Sequence, residues 1–99
     1  MTESQIKTKI MAWLKTVPQC KAIRVEQRPG MGRGVSDILI CYRGTFLAVE
    51  VKLPGNKPTY LQQSFMIDVE QAGGYSILIT TNEAKIAIET LKKEFWIND

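Results

Sequence analysis

Residues 33–52 read RGVSDILICYRGTFLAVEVK, and this stretch limits what the chain can become more than any other. Two short β-branched runs, residues 35–42 and 45–51, are bounded by Gly34, Gly44 and Pro54 and joined by a polar turn. That pattern predicts an antiparallel hairpin. Set into the two runs are three charges, Asp37, Glu50 and Lys52. Side chains alternate faces along a strand, so Glu50 and Lys52 point one way and Val49 and Val51 the other. Asp37 and Glu50 both lie toward the strand ends away from the turn, so pairing brings them together. One reading makes Asp37 a turn cap and leaves Glu50 and Lys52 on a solvated sheet face, as antiparallel sheets often have. The other treats the set as a site, because charges flanked by Ile38, Leu39, Ile40, Leu47 and Ala48 are seldom buried unless paired or metal-bound.

The rest of the chain supplies elements to cover such a hairpin. Residues 2–17 read as a helix with a capping-box pair, Thr2 and Gln5, and an apolar stripe of Ile6, Ile10, Trp13, Leu14 and Val17, ended by Pro18. Glu3 either favours the positive helix end or reaches toward the sheet. Residues 20–27 read as a first strand, running into the glycine-rich segment Arg28 to Gly34. That segment lacks the spacing of a nucleotide-binding loop. Its Arg28 and Arg33 either meet phosphate through their planar donor forks or belong to a simple connection. After the hairpin, Thr59 and Gln62 have capping-box spacing at the head of a second helix, stopped by Gly73 and Gly74. Residues 75–80 form a strand reached by helical crossover, and Asn82 begins a third helix with Ala84, Ile88, Leu91 and Phe95 facing inward. The order is αβββαβα, an α/β fold with a mixed sheet flanked by helices, in one domain spanning residues 1–99.

Composition removes several chemistries. The chain has no histidine, which excludes histidine triads and histidine-ligated metals. The oxygen ligands that remain suit magnesium or manganese. Cys20 and Cys41 lack CxxC spacing and read as a buried thiol pair. A net charge of +3 is a mild bias toward anionic partners. No run approaches a membrane span or a signal-peptide core, so an intracellular protein is expected.

Asp37 followed by Glu50-Val51-Lys52 resembles the PD-(D/E)xK nuclease motif. An acidic residue in an amphipathic first helix, G-x-x-D at the hairpin, and T-x-x-Q-x-x-F opening a glycine-ended helix narrow the resemblance to the virus-type replication-repair nuclease domain, VRR-NUC. It covers residues 2–81. The resemblance implies a restriction-endonuclease-like core. It further implies Asp37 and Glu50 as ligands of Mg²⁺ (Mn²⁺ substituting), with the backbone carbonyl of Val51 as a further ligand. Lys52 would be the active-site lysine, Glu3 an accessory acid able to hold a second metal, and Gln62 the glutamine at the site's edge. The family usually carries proline before the aspartate, where this chain has Ser36. Proline there fixes geometry and supplies no chemistry.

Among the basic residues, Lys7, Lys9, Lys15, Arg24, Arg28, Arg33, Lys57, Lys92 and Lys93 are candidates for backbone phosphate contacts, which position DNA without reading bases. With no base-reading module in the chain, the expectation is a structure-selective endonuclease. Short phage members of the resembled family imply a homodimer on branched DNA, a Holliday-junction resolvase, cytoplasmic and encoded by a phage or prophage. Two paired incisions in a symmetric junction match the two sites of a C2 dimer. A monomeric flap or nicking nuclease, or a non-catalytic branched-DNA-binding protein, are the alternatives. The interface would involve Trp96 in the apolar tail or the face of the first helix.

Overall fold

The computed structural model describes residues 1–26 and 34–97. Its elements run α1 (Glu3–Leu14), β1 (Cys20–Arg24), β2 (Ile38–Tyr42), β3 (Thr45–Lys52), α2 (Tyr60–Gln71), β4 (Tyr75–Thr80) and α3 (Ala84–Phe95). The expected αβββαβα order and mixed sheet are both present. The strands lie in the order β1-β2-β3-β4, antiparallel except for the β3–β4 pair.

The turn sets the hairpin register. Arg43 and Gly44 have φ of 50° and 81°, the two positive values a two-residue hairpin turn of type I′ requires. Tyr42 then pairs with Thr45, and Ile38 with Val49 at the far end. One step further, Asp37 falls opposite Glu50. A two-residue turn thus converts the motif's sequence spacing into direct cross-strand opposition.

The two sheet faces are covered unequally. Ile38, Ile40, Leu47, Val49, Val51 and Ile79 share one face and are buried beneath α1 and α3. The α1 stripe of Ile6, Ile10 and Leu14 is fully spent in this core. Ala87, wholly buried at the inner line of α3, allows the helices to approach closely. On the opposite face α2 lies against β4. Ser76 donates to the Met66 carbonyl at 3.3 Å, and the absence of a side chain at Gly74 lets Val69 approach.

Both predicted capping boxes form, Thr2 with Gln5 and Thr59 with Gln62. Some boundaries move. The first helix stops at Leu14, short of residue 17, because two turn-type backbone bonds, Thr16 to Trp13 and Val17 to Leu14, close it ahead of Pro18. β1 ends at Arg24 and β2 begins only at Ile38, although the Val25 N–H still reaches the Asp37 carbonyl at 2.8 Å. Asn82 is not the cap of α3. Glu83 occupies that position, and its N–H donates to the Thr81 hydroxyl at 3.1 Å. The cysteines are free and not a buried pair: Cys41 is exposed, because strand alternation turns it away from the helix-covered face. Of the apolar tail, Phe95 stacks edge-on against Tyr75 and Ile97 is buried, while Trp96 stays 78% exposed.

Candidate active site

Asp37 and Glu50 meet at the end of the hairpin away from the turn. Because the Asp37 carbonyl is directed at β1, its neighbour Ile38 uses its backbone toward β3, and the Asp37–Glu50 opposition falls at a non-hydrogen-bonded position. Side chains come closest at such positions. β2 stops pairing there. Continuing its register would place Ser36 opposite Val51, but the Val51 N–H donates instead to Asp37 Oδ2 at 2.8 Å. The carboxylate therefore ends the ladder and is oriented by it. Backbone N–H and C=O of one strand residue project to the same side, so the Val51 carbonyl is directed toward this carboxylate as well.

Glu50 is not on a solvated face. It is 1% exposed, and neither carboxylate oxygen has a hydrogen-bond partner. Burial, followed by the adjacent Asp37 charge, pushes its pKa up to about 8, against a smaller opposing pull from Lys52 and Lys7. Two ionised carboxylates are both acceptors, so Asp37 and Glu50 can share a hydrogen bond only while one holds a proton. With both acids ionised, Glu50 is a buried charge with no donor, which costs free energy in any fold. Paired carboxylates with a nearby carbonyl make a hard-oxygen donor set, and a divalent cation would satisfy it. The unpartnered oxygens of Glu50 fit that group. Among the described residues, no three Asp, Glu, Cys or His side chains gather as a metal cluster.

Glu3 explains why the set stops at two. Its Oε2 accepts from the Leu53 N–H at 3.0 Å and the Asn56 amide at 3.1 Å, tying the head of α1 to the loop that leaves β3. Burial works to raise its pKa, but those two bonds and the charges of Lys52 and Lys7 outweigh it and leave Glu3 below its ordinary value. Lys52, half-buried, is close enough to act electrostatically on both Glu3 and Glu50. Lys52 thus supplies positive charge to both the acid of the helix and the acid of the strand.

Gln62 is committed to its cap: its Oε1 accepts from the Thr59 N–H at 2.8 Å, and its own N–H donates to Thr59 Oγ1 at 3.2 Å. The first turn of α2 nevertheless lies against the approach to Asp37. A Cβ at Gly34 would run into the Leu61 carbonyl and sit 2.8 Å from Leu61 Cβ, and its φ of +83° independently favours glycine. Ser36, where the resembled family carries proline, is 1% exposed with its hydroxyl unpartnered.

The basic residues divide. Lys7, read from sequence as a phosphate contact, is paired with Asp37, its Nζ 3.3 Å from Oδ1. Arg24 is held on α1, its guanidinium 2.9 Å from Thr8 Oγ1 and 2.8 Å from Ser4 Oγ. Lys57 is exposed in the loop between β3 and α2. Arg28 and Arg33 lie outside the described residues. Sequence reasoning missed the Lys7–Asp37 pair. Its signal was the position of Lys7 one turn beyond Glu3, on the flank of the buried stripe. A separate cleft lined by Tyr42, Arg43, Tyr75, Phe95 and Trp96 lies at the turn end of the hairpin and contains none of these acids.

A mixed four-stranded sheet with helices on both faces, and an acid pair at the end of its central hairpin, defines the restriction-endonuclease-like class of α/β fold. Within that class the chain has the fold of a VRR-NUC domain. A solved structure described as "VRR_NUC domain" superposes with a TM-score of 0.73 over 94% of this chain and 96% of that chain, at 17% identity. Another, described as "VRR_NUC domain protein", gives 0.73 over 100% of this chain and 92% of that chain, at 19% identity. No protein-family model matches the chain, and no curated protein matches it in sequence.

Proposed function

We propose that the protein is a metal-dependent, structure-selective DNA endonuclease, acting inside the cell as a homodimeric Holliday-junction resolvase. The observation that carries this reading is Glu50, buried on a stiff strand beside Asp37 with both oxygens unpartnered. A fold shared with VRR-NUC domains supports the nuclease class.

In this reading Asp37, Glu50 and the Val51 carbonyl hold Mg²⁺, with Mn²⁺ able to replace it. The ion supplies Lewis-acid polarisation of the phosphoryl group and charge neutralisation as the phosphodiester is cleaved. The protein's own groups do the rest. The Val51 N–H fixes the rotation of the Asp37 carboxylate, so little reorganisation is needed at the moment of reaction. Lys52 orients the attacking water and offsets negative charge on the phosphate. Glu3 holds the Leu53 backbone directly after Lys52 and thereby fixes where that amine points. The Gln62 amide nitrogen, at the head of α2, is assigned to the edge of the site. Lys57 contacts backbone phosphate, as do Arg28 and Arg33.

Cleavage of a labelled immobile four-way junction, beside matched duplex, flap and single strand, tests the proposal in EDTA, Mg²⁺ and Mn²⁺. Paired symmetric cuts confined to the junction, dependent on metal and absent in Asp37→Asn, are expected. Cutting of flaps or nicking of duplex would keep the chemistry and discard junction resolution. Tight junction binding with no cut under either metal would replace the enzyme with a branched-DNA-binding protein. Undiminished cutting by Asp37→Asn would remove Asp37 from the ligand set.

A further inference from the structure

Both oxygens of Asp37 are already engaged. Oδ2 accepts from the Val51 N–H at 2.8 Å, and Oδ1 lies 3.3 Å from the Lys7 ammonium. The backbone bond is compatible with a metal ligand, since it orients the carboxylate and leaves the other oxygen to point at the ion. The lysine is not. It places a full positive charge on the one oxygen that Asp37 would offer, where the ion's own charge would act.

Lys7 is well placed for this and poorly placed for a surface role. Its position between Ile6 and the next turn of α1 puts it on the flank of a stripe that is buried in the core. The two partners of the ion pair are only 17% and 19% exposed, so water screens their attraction incompletely. Lysine is also a compact charge on a flexible stem, able to swing away without disturbing the helix backbone.

We propose that Lys7 is a positioning residue that occupies the cation side of Asp37 in the metal-free protein, holding the carboxylate in place, and must withdraw from Oδ1 when a divalent ion binds. This rests on the metal-site reading above. Lys7 thus sets metal affinity: it competes with the ion for one oxygen and repels it at short range. A site that binds its metal only moderately is then a built-in property of α1 and not a defect of the two-carboxylate donor set.

Titration calorimetry of the DNA-free, full-length protein with Mg²⁺ and with Mn²⁺ tests this. Lys7→Met is expected to bind both ions about five- to tenfold more tightly, roughly 1 kcal/mol or a little more. Lys7→Arg keeps the charge and should stay within about twofold of the parent by the same conversion. Lys9→Met makes the same charge change on an exposed position of the same helix and should leave metal affinity unchanged. Circular dichroism of each variant confirms the fold. Affinity in Lys7→Met that is unchanged or weaker overturns the proposal while leaving the metal site standing. An equal gain in Lys9→Met also overturns it, reducing the effect to net charge. Absence of divalent binding in the parent protein overturns both the proposal and the reading beneath it.

Discussion

Glu50 carries an unusual burden for a single residue. Its pKa, pushed up to about 8 by burial and by Asp37, lies far above the value of 4.5 it has when free. Below pH 4.5 it is protonated in folded and unfolded chains alike and contributes no pH dependence. As pH rises from 4.5 toward 8 the unfolded chain releases the proton while the folded chain keeps it. The folded state then binds more protons, so metal-free stability falls across that window and levels off above it, at up to ~1.4 kcal/mol per pH unit. Glu50→Gln has no proton to lose, and its amide can donate to the Asp37 carboxylate. In EDTA at pH 8 the variant should be more stable by about 2 kcal/mol, a rise of roughly 10 °C in Tm. It should also lose the downward slope above pH 5. Thermal unfolding as a function of pH reads both. A parent protein whose Tm is flat from pH 5 to 8 would mean that Glu50 is satisfied in a way its surroundings do not show.

At the scale of elements, the candidate site residues other than Glu50 and Val51 sit where a piece of secondary structure begins or ends. Asp37 precedes β2, Lys52 closes β3, Glu3 opens α1 and Gln62 lies in the first turn of α2. Element ends combine a rigid support on one side with backbone groups that the element itself leaves unpaired. In the proposed function Gln62 serves two purposes. Its Oε1 is used by the capping box, and its amide nitrogen is the part assigned to the site. Glu also satisfies a capping box at this position, so Gln62→Glu separates the two roles. Its Tm should stay within about 2 °C of the parent, a change well under 1 kcal/mol. Its rate of junction cleavage should fall at least about tenfold, or ~1.4 kcal/mol of transition-state stabilisation. A rate that holds with stability intact would leave Gln62 as a helix cap alone.

At the scale of the whole molecule, the interior is spent. The apolar stripe of α1 is buried against the sheet and α3, with Ile6, Ile10 and Leu14 at 1% exposure or less, so only the other faces of that helix remain open to a partner. The apolar tail folds back through Phe95 and Ile97, which leaves Trp96 as its outward residue. The proposed dimer is therefore expected to depend on Trp96. Sedimentation of the parent should give twice the 11.2 kDa chain mass, and Trp96→Ser should shift it toward a single chain. A parent that sediments as one chain at tens of micromolar would favour the monomeric flap or nicking alternative. Among the described residues, no helix is long and apolar enough to cross a membrane.

The sequence by itself determined the elements and their order, because those follow from local physics. Period-2 and helical apolar patterns, two capping boxes and glycine stops are all written within a few residues of where they act. It also determined that Asp37 meets Glu50, since a two-residue turn between runs of that length leaves little freedom of register. Only the tertiary structure decided what covers them. Whether Glu50 met water or protein depended on how distant helices close over the sheet, and it is buried. Whether Glu3 served its own helix or the sheet depended on a contact 50 residues away, the Leu53 N–H. Lys7 and Arg24 looked alike as surface cations. One reached an acid 30 residues distant and the other two hydroxyls on α1, because the docking of α1 beside the sheet chose their partners. Charge is visible in a sequence; what it faces is a property of packing.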